Sequence, residues 1–156
     1  MNPTTVPITG SETMQKDAKP YTALVEFYRA FNGRDLSLMA SNWDNTLESS
    51  MSNPLGGVRR GWQEIQDVYA KIFQGPAEVY VEFYDYTIHH AGVMFCAVGR
   101  ERGRLRINGK EVDLAIRTSR CFRLECGKWK QVHHHGSIDE PALLAEYQTA
   151  VFGAQA

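Results

Sequence analysis

In the run DLAIRTSRCFRLE, Asp113 to Glu125, an arginine stands where the pattern calls for an apolar side chain. A period of two puts Leu114, Ile116, Thr118, Arg120, Phe122 and Leu124 on one face of a strand, and Asp113, Ala115, Arg117, Ser119, Cys121 and Arg123 on the other. A guanidinium keeps its proton, and burying it unpaired costs on the order of several kcal/mol. Arg120 therefore needs a carboxylate, backbone carbonyls or an anionic ligand. Three placements are open: facing a ligand, held in a buried ion pair, or turned to solvent by a bulge.

The run KWKQVHHHGS, Lys128 to Ser137, adds consecutive histidines. Val132 argues that His134 faces inward, Trp129 argues for the opposite parity, and a bulge would swap the faces. An inward His134 is a candidate proton carrier, because imidazole titrates near neutral pH. His133 and His135, two apart, can point at one metal, yet a third ligand would have to come from His89, His90 or a carboxylate that no spacing aims at them. The remaining reading is hydrogen bonding between strands at a dimer face. Proton abstraction in an apolar cavity needs a carboxylate base beside donors that stabilise an enolate. Asp44, Glu48 and Asp85 are candidate bases, and Tyr28, Tyr69 and Tyr84 candidate donors; none stands out. In GRERGRLRINGK, Arg100, Arg102, Arg104 and Arg106 alternate, a stripe that can meet phosphate or form a solvated or dimer-facing edge.

The elements that must position these residues are readable from apolar spacing. Tyr21, Leu24, Val25, Tyr28 and Phe31 share a helical face after Pro20, and Asn32-Gly33 ends that helix. Asp35 caps a short second helix through Leu38, Met39 and Trp43, and TLESSMS reads as a brief strand before the Pro54-Leu55-Gly56-Gly57 turn. Trp62, Ile65, Tyr69, Ile72 and Phe73 mark a third helix, stopped by Gly75-Pro76. From Val79 to Ser137, β-branched and aromatic runs are broken at Ala91-Gly92, Asn108-Gly109 and Cys126-Gly127, which predicts four long antiparallel strands. A final helix carries Leu144, Tyr147 and Val151. Helices followed by a meander imply an α+β fold, with a curved antiparallel sheet wrapped around N-terminal helices as a cone, and a cavity at its wide end. Trp43, Trp62, Tyr69 and Phe73 are expected where helices meet sheet, as core, as cavity wall, or both.

Residues 1–18 lack periodicity and are expected to form a mobile arm, with a single domain over residues 19–156. At 156 residues, folding buries roughly 70% of the surface of the unfolded chain. A net charge of −1, with 43% hydrophobic and 22% charged residues, shows no bias toward nucleic acid or acidic membranes. No apolar run approaches the roughly 20 residues of a membrane span, and the opening lacks the apolar stretch of a secretory signal. The protein is expected to be cytoplasmic. Cys96, Cys121 and Cys126 show no C-x-x-C spacing; the first two are expected as buried free thiols and the third in a turn.

FYRAFNGRDLSLMASNW, NPLGGVRRGWQEIQDVYAKIF and SRCFRLECGKWKQVHHHGS, in that order, resemble the NTF2-like superfamily in its SnoaL-like or ketosteroid-isomerase-like branch. The last of these, with an Arg-rich strand, a Gly-Lys-Trp turn and a His-x-His-x-Ser strand, is also similar to the association domain of calcium/calmodulin-dependent kinases. The resemblance covers about Pro20 to Ser137. It implies a cone-shaped α+β domain, usually a dimer packed through its sheet, with a pocket between sheet and helices and Arg120 in that pocket. It does not imply one activity, since the family includes isomerases, dehydratases, hydrolases and non-catalytic oligomerisation modules. The expectation is a small, anionic organic ligand against Arg120, with walls from Tyr28, Trp43, Tyr69, Phe122 and His134. His134 would be the catalytic group if there is catalysis, without cofactor or metal. The alternative is an association module whose product is the oligomer.

Overall fold

The computed structural model describes residues 1–153; residues 154–156, the end of the expected domain, lie outside the described residues. Helix α1, Pro20–Asn32, buries Leu24, Val25, Phe27, Tyr28 and Phe31 along one side. The Gly33 N–H donates to the Arg29 carbonyl at 2.9 Å and closes the helix. Helix α2, Leu36–Asn42, starts at Asp35, whose carboxylate accepts the Leu38 N–H at 2.9 Å. After strands β1 (Ser50–Ser52) and β2 (Arg59–Arg60) comes α3, Trp62–Gln74, which buries Ile65, Val68, Tyr69, Ile72 and Phe73.

Strands β3 (Glu78–Ala91), β4 (Met94–Ile107), β5 (Lys110–Glu125) and β6 (Lys128–Ser137) form the predicted antiparallel meander. Asn108 and Gly109 take φ of 51° and 75°, and Cys126 and Gly127 take 50° and 78°. Both pairs supply the two positive φ angles that a two-residue hairpin turn requires. The full sheet has the order β2-β1-β6-β5-β4-β3, because β1 runs parallel beside β6 and carries β2 on its other edge. The two-residue β2 has too little sequence to show a period.

The sheet is curved and unclosed, with the helices on one face. Its bend has a local cause. A register shift between Tyr84 and Thr87 interrupts the β3–β4 pairing, and Asp85 takes a φ of 50° within it. Opposite, a Cβ on Gly99 would stand 2.6 Å from the Cβ of Tyr86, and one on Gly103 would run into the Tyr80 backbone. Side chains at these two positions would hold the strands too far apart to bend.

The first eighteen residues, expected as a mobile arm, make specific contacts. Ile8 exchanges backbone hydrogen bonds with Phe83 at 2.8 and 2.9 Å, Thr4 does the same with Tyr86 at 2.8 and 3.1 Å, and the Ile8 side chain is fully buried. Arg29 on α1 donates to the Gly10 carbonyl at 2.8 Å and to the Glu12 carbonyl, and Asn32 donates to the Thr9 carbonyl at 2.8 Å. At the other end of the chain, α4, Pro141–Phe152, packs beside α3, pairs its Glu146 with Lys110 of β5, and buries Tyr147, Ala150 and Val151. Among the described residues, no helix is long and apolar enough to cross a membrane.

Candidate functional site

Arg120 points inward from β5 and is 3% exposed. Strand β4 supplies Glu101, 5% exposed and four residues along from Ala97, the register partner of Arg120, with Arg120 Nη2 donating to Glu101 Oε1 at 3.1 Å. From α1, the Tyr28 hydroxyl accepts from Arg120 Nε at 3.3 Å and donates to Glu101 Oε1 at 3.2 Å. Arg120 Nη1 donates to Gln131 Oε1 at 3.0 Å, and Gln131 in turn donates to Asn42 at the end of α2. The guanidinium lies 3.5 Å from the centroid of the Phe27 ring, a cation–π contact. Of the two inward readings of Arg120, the buried ion pair is present. Burial alone would push the guanidinium down, but Tyr28, Glu101 and Tyr69 beside it outweigh that and hold it above its ordinary value. A guanidinium has five N–H groups. Three of them are matched here, and Arg120 lines the interior cavity.

The parity conflict on β6 is resolved by a bulge. Cys121 pairs with His133 while Phe122 pairs with Gln131, so Val132 is the extra residue. Trp129 and Gln131 face inward before it and His134 faces inward after it, all three buried. His134 Nδ1 lies 3.2 Å from the Ser119 carbonyl, which can only accept, so this nitrogen carries the proton and Nε2 is the basic one. Burial, reinforced by the nearby Arg120 charge, holds the imidazole well below its ordinary value, so it is neutral at pH 7. His133 and His135 face outward. Ser50 Oγ lies 2.8 Å from His133 Nδ1, the cross-strand contact expected of a non-metal role. Among the described residues, no three His, Cys, Asp or Glu side chains converge as a metal site would require.

Phe27, Phe31, Tyr69, Ile72, Glu101, Ile116, Arg120, His134 and Tyr147 line a cavity of about 30 Å³ between sheet and helices. That is room for about one water molecule. Tyr147, buried on α4, forms part of the cavity wall. Tyr69 is 3% exposed, and among the described residues neither its hydroxyl nor the fully buried indole N–H of Trp43 has a hydrogen-bond partner. The two groups are neighbours, with ring centroids 6.2 Å apart, and the Trp43 N–H is near enough to pull the Tyr69 phenol down without completing a hydrogen bond. Burial pushes the Tyr69 phenol up to about 12, against the opposing pull of Arg120. A buried donor left unmatched costs about 1–3 kcal/mol, and of these two groups Tyr69 lines the cavity together with Arg120.

The other sequence candidates fall elsewhere. Phe122 is buried but stacks on Phe95, centroids 4.7 Å apart, and is not in the cavity wall. Asp44 is taken up by Arg123 at 2.9 Å, as is the exposed Glu48 at 2.9 Å. Asp85 pairs with Arg100 on the outer face, and Tyr84 lies under the Arg102 guanidinium there. The arginine stripe is mostly neutralised in place: besides Arg100, Arg102 pairs with Glu82 and Arg106 with Glu111. Glu101 was missed, although the signal was present. It shares the parity of Phe95, Ala97 and Leu105, all buried, while the arginines on either side of it do not.

A family model described as a SnoaL-like domain matches residues 21–140. The chain belongs to the SnoaL-like family. The match ends immediately before α4 of this SnoaL-like chain. Among solved structures, a protein described as a calcium/calmodulin-dependent protein kinase type II association domain from Thiobacillus denitrificans is 22% identical. It aligns over 80% of this chain and 98% of its own, with a TM-score of 0.66. A protein from Streptomyces avermitilis, described as a dehydratase of the NTF2-like family, is 22% identical over 74% of this chain and 90% of its own, with a TM-score of 0.64. A ketosteroid isomerase-like protein from Erwinia carotovora atroseptica is 16% identical over 78% and 94%, with a TM-score of 0.65. These likenesses establish the NTF2-like α+β fold. No curated protein matches the SnoaL-like chain at a significant level.

Proposed function

We propose that the protein binds a small organic molecule carrying an acidic group, inside the sheet and against Arg120. The observation that carries this reading is the buried Tyr69 hydroxyl, which has no hydrogen-bond partner among the described residues and lines the same cavity as Arg120, two of whose N–H groups are unmatched. Glu101 already balances the Arg120 charge, so a bound acid is held by directed hydrogen bonds rather than by net attraction. A neutral His134 with its basic nitrogen unprotonated is equipped to accept a proton from such a ligand. The chemistry available is cofactor-independent proton transfer, as in an isomerisation, dehydration or hydrolysis. Since the cavity has room for about one water, ligand entry requires Tyr147 and α4 to move outward.

The test is a thermal-shift panel of aliphatic and aromatic carboxylates with their matched amides, run on the wild type and on Tyr147→Ala. Carboxylates should raise Tm more than their amides do, and the Tyr147→Ala variant should respond at lower concentration because its cavity is larger. Failure of every compound on both proteins would remove the binding reading. Amides matching carboxylates would remove its anionic part.

The alternative reading, a non-catalytic association module, is favoured by the small cavity and by the internal pairing of Arg120. In either case we propose a cytoplasmic homodimer joined through the outer sheet face. Sedimentation of the wild type and of a Val98→Glu variant tests the dimer, since Val98 is an exposed apolar residue on that face. If assembly is the function, this substitution should remove dimer and function together while leaving the carboxylate response unaffected.

A further inference from the structure

The outer face of the sheet carries a row of reactive side chains that the interior site does not use. In register across the strands stand His89 on β3, Cys96 on β4, Cys121 on β5, His133 on β6 and Ser50 on β1. Cys96 and Cys121 are directly opposed, and their sulfur atoms lie 3.0 Å apart, with Cys121 Sγ donating to Cys96 Sγ. Both residues are partly exposed, unlike the sealed thiols the sequence suggested. Directly opposed residues of an antiparallel pair have Cα atoms roughly 4.5–5.5 Å apart, inside the range that a disulfide spans. The sulfurs need only close by about 1 Å to bond, without moving either strand.

We propose that Cys96 and Cys121 are a redox-active dithiol that a peroxide converts reversibly into a disulfide between β4 and β5. The balance is complete with hydrogen peroxide as the oxidant. The Cys96 thiolate attacks one peroxide oxygen, the O–O bond breaks, and Cys96 becomes a sulfenic acid as one water leaves. Cys121 sulfur then attacks Cys96 sulfur, the S–O bond breaks, and the hydroxyl departs with the Cys121 proton as a second water. Two thiols are oxidised by two electrons and one peroxide is reduced to two waters. Cys96 is the attacking group because the hydrogen bond from Cys121 lowers its thiol to about 7, whereas Cys121, as the donor in that bond, is pushed up. A second copy seated on this face would shield the pair from bulky reagents, but peroxide is little larger than water and would still reach it.

The experiment treats reduced, full-length protein with hydrogen peroxide, denatures it, alkylates it with a maleimide and measures the intact mass. Before oxidation all three cysteines take the label. Afterwards one label is expected, on Cys126, with a peptide cross-linking Cys96 to Cys121 and full recovery on treatment with dithiothreitol. Cys126→Ser should still form the bond, whereas Cys96→Ser and Cys121→Ser should not. In Cys121→Ser a dimedone adduct is expected on Cys96, the sulfenic acid having lost its resolving partner. Retention of all three labels, a bond involving Cys126, or irreversible over-oxidation in place of the disulfide would overturn the proposal. The carboxylate response is read separately, so neither result decides the other.

Discussion

Arg120 and Glu101 form an ion pair 3.1 Å long in which both side chains are at most 5% exposed. Neither charge has an alternative to the other except the neutral groups around it. Arg120→Ala should therefore lower the unfolding free energy by about 3–5 kcal/mol, because it strands a buried carboxylate. Replacing both residues with methionine should recover most of that loss, since a well-packed apolar pair removes both desolvation penalties. Urea unfolding of Arg120→Met, Glu101→Met and the double variant gives the coupling energy. Strictly additive losses would show that the pair does not act as a unit.

The folded state holds His134 below its ordinary value of 6.5, with burial as the main cause. As pH falls through that value, the unfolded chain takes up a proton at this position before the folded chain does, so stability falls with falling pH. One such histidine contributes a slope of up to about 1.4 kcal/mol per pH unit. His133 has the same sign, lowered chiefly by burial, and remains in the variant. Replacing His134 with asparagine should flatten the stability profile between about pH 6 and pH 5 relative to the wild type. Identical slopes would mean that His134 is protonated as easily in the fold as out of it.

Tyr69→Phe removes a hydroxyl that no protein group accepts. Without ligand, the variant should be as stable as the wild type or more stable by about 1 kcal/mol, contrary to the usual loss when a bonded hydroxyl is deleted. It should also weaken the carboxylate response in the thermal-shift panel. A loss of stability would instead reveal a partner for the hydroxyl and weaken the binding argument.

Ile8 ties the N-terminal segment to the sheet through two backbone hydrogen bonds and a fully buried side chain. Ile8→Ala should cost about 2–5 kcal/mol. The Ile8 and Phe83 amides should be protected from hydrogen exchange to a similar degree. A change within about 0.5 kcal/mol, as for an ordinary surface site, would show that the segment behaves as the mobile arm that its composition suggests.

Local rules made much of the architecture legible. Each helix was announced by its apolar spacing, the first and third also by a stop signal, and each hairpin by residues that tolerate positive φ, because these features depend on a few neighbours in the chain. The contacts of residues 1–18 with β3 were not visible, since two isolated bridges at Thr4 and Ile8 leave no period to read. The inward aim of Arg120 followed from parity alone. The parity of His134 did not, because one inserted residue, Val132, reverses it, and where a bulge falls is decided by the partner strand.

Sequence alone thus determined the element order, the α+β class and the presence of an arginine on the apolar face of β5, all consequences of local periodicity and turn chemistry. Only the tertiary structure decided that Glu101 meets that arginine, that Tyr147 shares its cavity wall, and that two cysteines 25 residues apart touch. Those facts depend on strand register, sheet curvature and the docking of α4. Each is set by contacts between distant parts of the chain, which no short window of residues contains.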